Sequence, residues 1–290
     1  MSKISVIGCG KMGSSLVKAF LKSGHHVFVY DVSRESCIPL VELGASLAET
    51  PIEAANNCDV MVFSINNYTN TIRFLKNDDV LLQLAGKTLV QLSTGIPQEA
   101  QELEGIIKEY DIDYIDGAIM CYPHQIGTEE SCILISGNES TLKNSESALK
   151  SLTKNLMTVS NDISGASTLD CALLTLYYGT YWGILQAASL CKSQNFSVQT
   201  FADIAGDSYL FPTVTEILKH VPQDVESGNY KDNMASNIIH SSAIQRLIEM
   251  MNRSKIDTSV TESIHSLIQN AIETGYKNNN LESIVEIIRK

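Results

Sequence analysis

The sequence predicts an α/β protein in two parts: an N-terminal doubly wound parallel sheet, then a long helix leading into an all-α C-terminal domain. Three observations predict this. Short runs rich in Val and Ile alternate with helix-like segments over the first half of the chain. Strand-like patterns stop near residue 163, and long amphipathic helical stretches follow. A glycine-rich turn, Gly8-Cys9-Gly10-Lys11-Met12-Gly13, joins the first strand-like run to the first helix-like segment. Strands alternating with helices imply right-handed crossovers and parallel neighbours.

Residues 4–7, 27–30, 60–65 and 88–92 read as strands. Between them, residues 14–22, 35–43, 52–56, 68–75 and 98–110 read as helices. Residues 113–116 and 132–136 look like further strands, and 140–152 like another helix. The helical half is expected to break at Gly206, Pro212, Pro222, Gly228 and Gly275. The expected domains are 1–163, where strands and helices alternate, and 164–290, a long helix followed by further helices.

The chain has 290 residues, enough for two self-supporting domains. Its formal net charge is −12, from 33 acids against 21 Lys and Arg. That balance argues against nucleic acid and against an anionic membrane surface. Seven cysteines stand at scattered positions without a C-x-x-C or a Cys/His cluster. They read as free thiols in a reducing cytoplasm, not as bridges or metal ligands. The start of the chain lacks the layout of a secretory signal. Residues 168–191 carry one charge, Asp170, and are long enough to span a bilayer. They also hold that acid and three tyrosines, so a helix buried between domains or subunits is the better reading.

The glycine-rich turn matches G-x-G-x-x-G in the setting the motif requires, after a strand and before a helix. Gly8 permits the tight turn, Gly10 lets a pyrophosphate approach the backbone, and Gly13 lets helix and strand pack closely. Phosphates then face unpaired N–H groups at the helix N-terminus. Asp31 ends the second strand, 18 residues past Gly13, where an acid accepts hydrogen bonds from the adenosine ribose. A carboxylate there repels a 2′-phosphate and favours NADH. Arg34 either reaches a 2′-phosphate or is a solvated helix-start residue, so NADPH stays open. The loops Ser64-Ile65-Asn66 and Ser93-Thr94-Gly95 should line the cofactor groove at the carboxyl ends of the strands.

With Val-Tyr-Asp-Val at 29–32, this opening resembles the β-hydroxyacid dehydrogenases, whose dinucleotide domain is like that of 6-phosphogluconate dehydrogenase. Asp116-Gly117-Ala118-Ile119-Met120-Cys121-Tyr122-Pro123 and Ile126-Gly127-Thr128 are similar to a hallmark of imine reductases and reductive aminases. So are residues 165–174, at the head of the long helix, and the tail from Phe201 through Gly228-Asn229-Tyr230 to Glu282. The resemblance implies a Rossmann domain, a long interdomain helix and a helical domain. It also implies an interlocked homodimer whose active sites draw on both chains.

Asp170 stands where the hydroxyacid dehydrogenases carry a lysine. A lysine suits developing negative charge on oxygen, and a carboxylate opposes it. Imine reduction reverses the sign, because a protonated C=N is cationic. Asp170 is therefore expected to stabilise an iminium, or to supply its proton if burial raises its pKa. The competing reading is an interdomain acid paired with a distant cation.

The resemblance assigns substrate nitrogen to Tyr178. Helical geometry puts Tyr178 about 80° round from Asp170, with Tyr177 and Tyr181 within about 20°, so Tyr177 and plain core packing stay in play. The resemblance places Thr94, Met120, Tyr209 and His240 in the substrate pocket, with His240 donated by the second chain. Tyr209 and its neighbour Phe211 are equally readable as core, and His240 as an ordinary helical histidine. Cys9, Lys11, Met12 and Ser33 fall among the cofactor-binding positions. Thr94 replaces an Asn common in reductive aminases, which counts against joining separate ketone and amine. Asp31-Val32-Ser33 replaces the usual Asn-Arg-Thr, which counts against an NADPH preference.

The expected activity is NAD(P)H-dependent reduction of C=N in cyclic imines, with small-molecule imines or amines as substrates. The alternatives are a hydroxyacid dehydrogenase or aldehyde reductase acting on C=O, and a non-catalytic dinucleotide-binding module.

Overall fold

Strand β1 (Lys3–Ile7) carries the β-branched Ile4, Val6 and Ile7, with an apolar side chain on each face, and it lies inside the sheet with a parallel strand on either side. The structure, a computed structural model, describes residues 1–76, 78–230 and 235–289. Among these, seven more strands follow: β2 (His26–Tyr30), β3 (Ser46–Leu47), β4 (Val60–Phe63), β5 (Thr88–Gln91), β6 (Asp113–Ile119), β7 (Cys132–Gly137) and β8 (Asn155–Ser160). Their order in one sheet is β3-β2-β1-β4-β5-β6-β7-β8. All neighbours are parallel except β6 and β7, which no crossover helix joins.

The crossovers are α1 (Lys11–Lys22), α2 (Arg34–Glu42), α3 (Pro51–Asn56), α4 (Tyr68–Leu75), α5 (Asp78–Gln83), α6 (Pro97–Ile107) and α7 (Glu139–Leu149). Local chemistry starts several of them. Thr50 caps α3 by accepting from the Glu53 N–H at 3.1 Å, with Pro51 at the first helical position. Asn67 caps α4 by accepting from the Asn70 N–H at 2.9 Å.

Alternating residues send their side chains to opposite faces. Val6, Val62 and Val90 join Leu16, Val17 and Phe20 in one core. Ile7, Met61, Phe63 and Leu89 join Tyr68, Leu75 and Leu103 in the other. The chain order reverses beside β1, with β2 on one side and β4 on the other. Such a switch point opens a crevice beyond the carboxyl ends of the strands, here at Gly8 and Ser64.

Three local features differ from expectation. The strand expected to reach residue 65 ends at Phe63. β3 is too short to carry a pattern. β8 holds Asn, Thr and Ser in a half-exposed edge and lacks apolar alternation.

The helical part comprises α8 (Gly165–Ser193), α9 (Val198–Asp203), α10 (Leu210–Ser227), α11 (Asn237–Arg253), α12 (Ser259–Ala271) and α13 (Val285–Ile288). The expected breaks at Pro212 and Pro222 do not occur. Pro212 falls in the first turn of α10, and the helix runs on through Pro222 at the loss of one backbone hydrogen bond. Gly206 and Gly275 instead lie in wide π-type turns, and Gly228 closes α10 at φ 65°. Among the described residues, no helix is long and apolar enough to cross a membrane.

The chain divides into two compact units, 1–177 and 178–290, so the division falls inside α8, past the expected boundary at 163/164. In the first unit, Ala166, Leu169 and Leu173 of α8 pack with Ala118, Met120 and Leu134. In the second, Met251, Ile268 and Ala271 are fully buried between α11 and α12.

Candidate active site

The glycine-rich turn is fixed by three different constraints. Gly8 has φ +99°, and a Cβ there would lie 2.3 Å from the Ser64 carbonyl oxygen. A Cβ on Gly13 would lie 1.9 Å from the carbonyl oxygen of Gly8. A Cβ on Gly10 would meet nothing within 4 Å, so the space beside it is open. α1 begins at Gly10 without a side-chain cap, which leaves N–H groups free for an anion. Lys11 is exposed in the first turn, whereas Met12 packs against the core. Cys9 is buried, with its Sγ 3.5 Å from that of Cys37.

Asp31 is held by backbone on both oxygens. Its Oδ2 accepts from the Cys9 N–H at 2.7 Å and its Oδ1 from the Ser33 N–H at 2.8 Å. These bonds tie the end of β2 to the glycine turn and leave outward lone pairs for a ribose. Arg34 is engaged elsewhere. Its guanidinium makes a two-pronged pair with Glu49, at 2.5 and 2.7 Å. No motif marks Glu49, which lies 15 residues away and is brought close by the packing of β2 against β3.

The two later loops are joined: the Ile65 N–H donates to Ser93 Oγ at 3.0 Å. Ser93 is buried and further held by Gln91, whose amide donates to Thr71 at 2.8 Å. Asn66 and Thr94 are exposed at the loop tips. Gly95 lies flat against Tyr68, and its carbonyl accepts from the Cys171 thiol at 3.7 Å. The first turns of α8 therefore sit against the 93–95 loop.

Asp170 belongs to those turns. It is only 7% exposed, and no hydrogen bond or ion pair to its carboxyl is found among the described residues. Burial raises its pKa. Beneath lies a buried network centred on Asp116, a residue to which the sequence assigns no role. Asp116 is fully buried, and its pKa is pushed up to about 6 by burial. Tyr68 and Tyr114 donate hydrogen bonds to its Oδ1.

The first unit thus brings together Gly8 to Gly13, Asp31, Ser33, residues 64–66, residues 93–94, Met120 and Asp170. Tyr178, Tyr209 and His240 belong to the second unit. Tyr178 and Tyr209 are exposed on the single chain, and His240 is half-buried on α11. Among the described residues, no group of three or more His, Cys, Asp or Glu is arranged to hold a metal.

Residues 3–160 match the family of the NAD binding domain of 6-phosphogluconate dehydrogenase. Residues 162–290 match the C-terminal domain of the NADPH-dependent reductive aminase-like family. The NADPH-dependent reductive aminase of Aspergillus oryzae is 28% identical over 100% of this chain and 98% of its own length. The V8 variant of the imine reductase from Myxococcus stipitatus, in complex with NAD+, is similar at TM-score 0.92 and 30% identity over 100% of both chains. The reductive aminase from Aspergillus terreus, in complex with NADPH4, cyclohexanone and allyl amine, is similar at TM-score 0.89 and 26% identity over 99% of both chains. The chain therefore belongs to the imine reductase and reductive aminase family and is an NAD(P)H-dependent oxidoreductase of that family.

Proposed function

We propose that this protein reduces C=N bonds of cyclic imines to amines, with Asp170 as the acid or counter-charge for the iminium. The observation that carries the reading is a carboxyl at the head of α8 that is buried and, among the described residues, has no ion pair. Such a group opposes the negative charge of carbonyl or hydroxyacid chemistry and complements a cation. Its raised pKa suits it to hold a proton for nitrogen.

The glycine turn and Asp31 fit a dinucleotide: open space at Gly10, an uncapped helix start and a fixed carboxylate at the end of β2. Bound there, the nicotinamide supplies hydride to the imine carbon. The 64–66 and 93–95 loops orient the ring, and Asp170 supplies the proton or balances charge at nitrogen. Tyr178 orients the substrate nitrogen, with Thr94, Met120, Tyr209 and His240 shaping the pocket. NADH is the favoured cofactor, because Asp31 repels a 2′-phosphate and Glu49 already neutralises Arg34.

The working unit is a homodimer. On the single chain, α8 and α10 expose Trp182, Leu185, Phe211 and Leu218 at 42–51%, an apolar surface that a second copy would cover. Residues 1–163 bind the dinucleotide, and 164–290 supply dimer contacts and substrate. All seven cysteines are free thiols, which fits the cytoplasm.

The test follows NADH and NADPH absorbance with a small cyclic imine, a hydroxyacid and an aldehyde, then repeats it with Asp170→Ala. Imine turnover that Asp170→Ala leaves intact, or a preference for the hydroxyacid, overturns the reading.

A further inference from the structure

We infer that Asp116 is a positioning residue for the reaction: it holds the head of α8, and through it Asp170, against the cofactor loop. The inference rests on the role proposed for Asp170.

Asp116 and Ser136 are cross-strand partners in the antiparallel β6–β7 pair, and both are fully buried. Both point at the first turn of α8. The Ser136 hydroxyl accepts a hydrogen bond from the Ala166 N–H. Ala166 packs on Ala118 and Leu134, the next cross-strand pair on that face, and the buried Ser167 follows it. An anion at this end of a helix is stabilised by the helix dipole. Gly165 makes the approach possible, since a Cβ there would lie 2.3 Å from the Ser160 side chain. Asp170 follows Ser167 by one turn.

The other side of Asp116 reaches the cofactor loop. Tyr68 donates its hydroxyl to Oδ1, and its ring is the surface on which Gly95 lies. Cys171 reaches the Gly95 carbonyl from α8, closing a circuit from Asp116 through Tyr68, Gly95 and Cys171 back to α8. Within that circuit Asp116 Oδ2 is buried and closes no hydrogen bond. An apolar residue would dock a helix at lower desolvation cost. A carboxyl kept here acts instead on the direction of the first turn and hence on where Asp170 stands.

The experiment is a double-mutant cycle on the full chain, using Asp116→Asn and Asp170→Asn, with kcat for a cyclic imine and the Kd of NADH as readouts. Asp116→Asn is expected to lower kcat about tenfold or more, as misplacement of a reacting group does, with the Kd of NADH kept within about twofold. In the Asp170→Asn background it should cost nothing further. An equal loss in both backgrounds shows a merely structural role and overturns the inference. An Asp170→Asn variant with wild-type kcat instead overturns the role of Asp170 itself.

If Asp116→Asn does not fold, Tyr68→Phe goes through the same cycle, because it removes one donor and keeps the ring against Gly95. Amide exchange gives a second measurement. It should rise at residues 165–170 and stay unchanged in α1, and unchanged exchange at 165–170 overturns the inference.

Discussion

The backbone N–H of Cys9 donates to Asp31 Oδ2 at 2.7 Å, so the middle of the glycine turn and the end of β2 are a single rigid piece. Asp31 therefore has two separable effects, one on the shape of the turn and one on charge. Asp31→Asn keeps an acceptor for the turn and removes the charge that repels a 2′-phosphate. The expected outcome is a shift of kcat/KM toward NADPH by about tenfold, close to 1.4 kcal/mol. Steady-state kinetics with both cofactors check this, and an unchanged ratio contradicts it.

Glu49 should control the same ratio through Arg34. The pair is bidentate but exposed, with side-chain exposures of 67% and 53%, so its own strength is small. Glu49→Gln leaves the fold intact and frees a guanidinium beside the adenosine ribose position. NADPH affinity should rise severalfold and NADH affinity should barely change. The gain should vanish in Glu49→Gln/Arg34→Ala, as binding titrations of both cofactors would show.

The glycines separate folding from binding. Gly13→Ala places a methyl 1.9 Å from the Gly8 carbonyl, and overpacking of that kind costs about 1–3 kcal/mol or more. Gly10→Ala adds a methyl in open space and should leave the melting temperature of the cofactor-free protein nearly unchanged. It nevertheless intrudes where the pyrophosphate approaches. Thermal melts with and without NADH should show early unfolding for Gly13→Ala, and a lost ligand-induced shift for Gly10→Ala.

The fold was largely legible because β1, β2, β4 and β5 are β-branched runs whose alternate residues pack into two cores. The cofactor end was legible for a related reason. Gly8, Gly10, Gly13 and Asp31 act through local backbone geometry that a short motif encodes. Glu49 and Tyr68 were not legible, since each matters through a partner brought close only by the assembled sheet and helices. Pro222 misled because its φ fits a helix, and α10 tolerates the missing N–H. Asp116 stood inside a recognised motif, but its burial depends on β7 and α8 folding over it.

That burial makes Asp116 a source of pH-dependent stability with a definite sign. Its folded pKa is raised from 3.8 to about 6, with desolvation as the largest cause. The groups facing it are the hydroxyls of Tyr68 from α4 and Tyr114 from β6, and Ser167 from α8. Glu99 of α6 lies beyond Tyr68. Because the folded value is the higher one, the contribution to stability is fully present below the unfolded pKa, near 4. It is lost as pH rises through about 6, where the total loss is about 3 kcal/mol. Asp116→Asn cannot ionise and lacks this slope. Denaturant unfolding of both proteins, at equal concentration and at several pH values from 4 to 8, should show the variant gaining on the wild type as pH rises. The gain should level off above pH 7. Other carboxylates cancel in the difference. A constant difference across that range would mean that Asp116 stays ionised in the fold, so that the hydroxyls around it outweigh its burial.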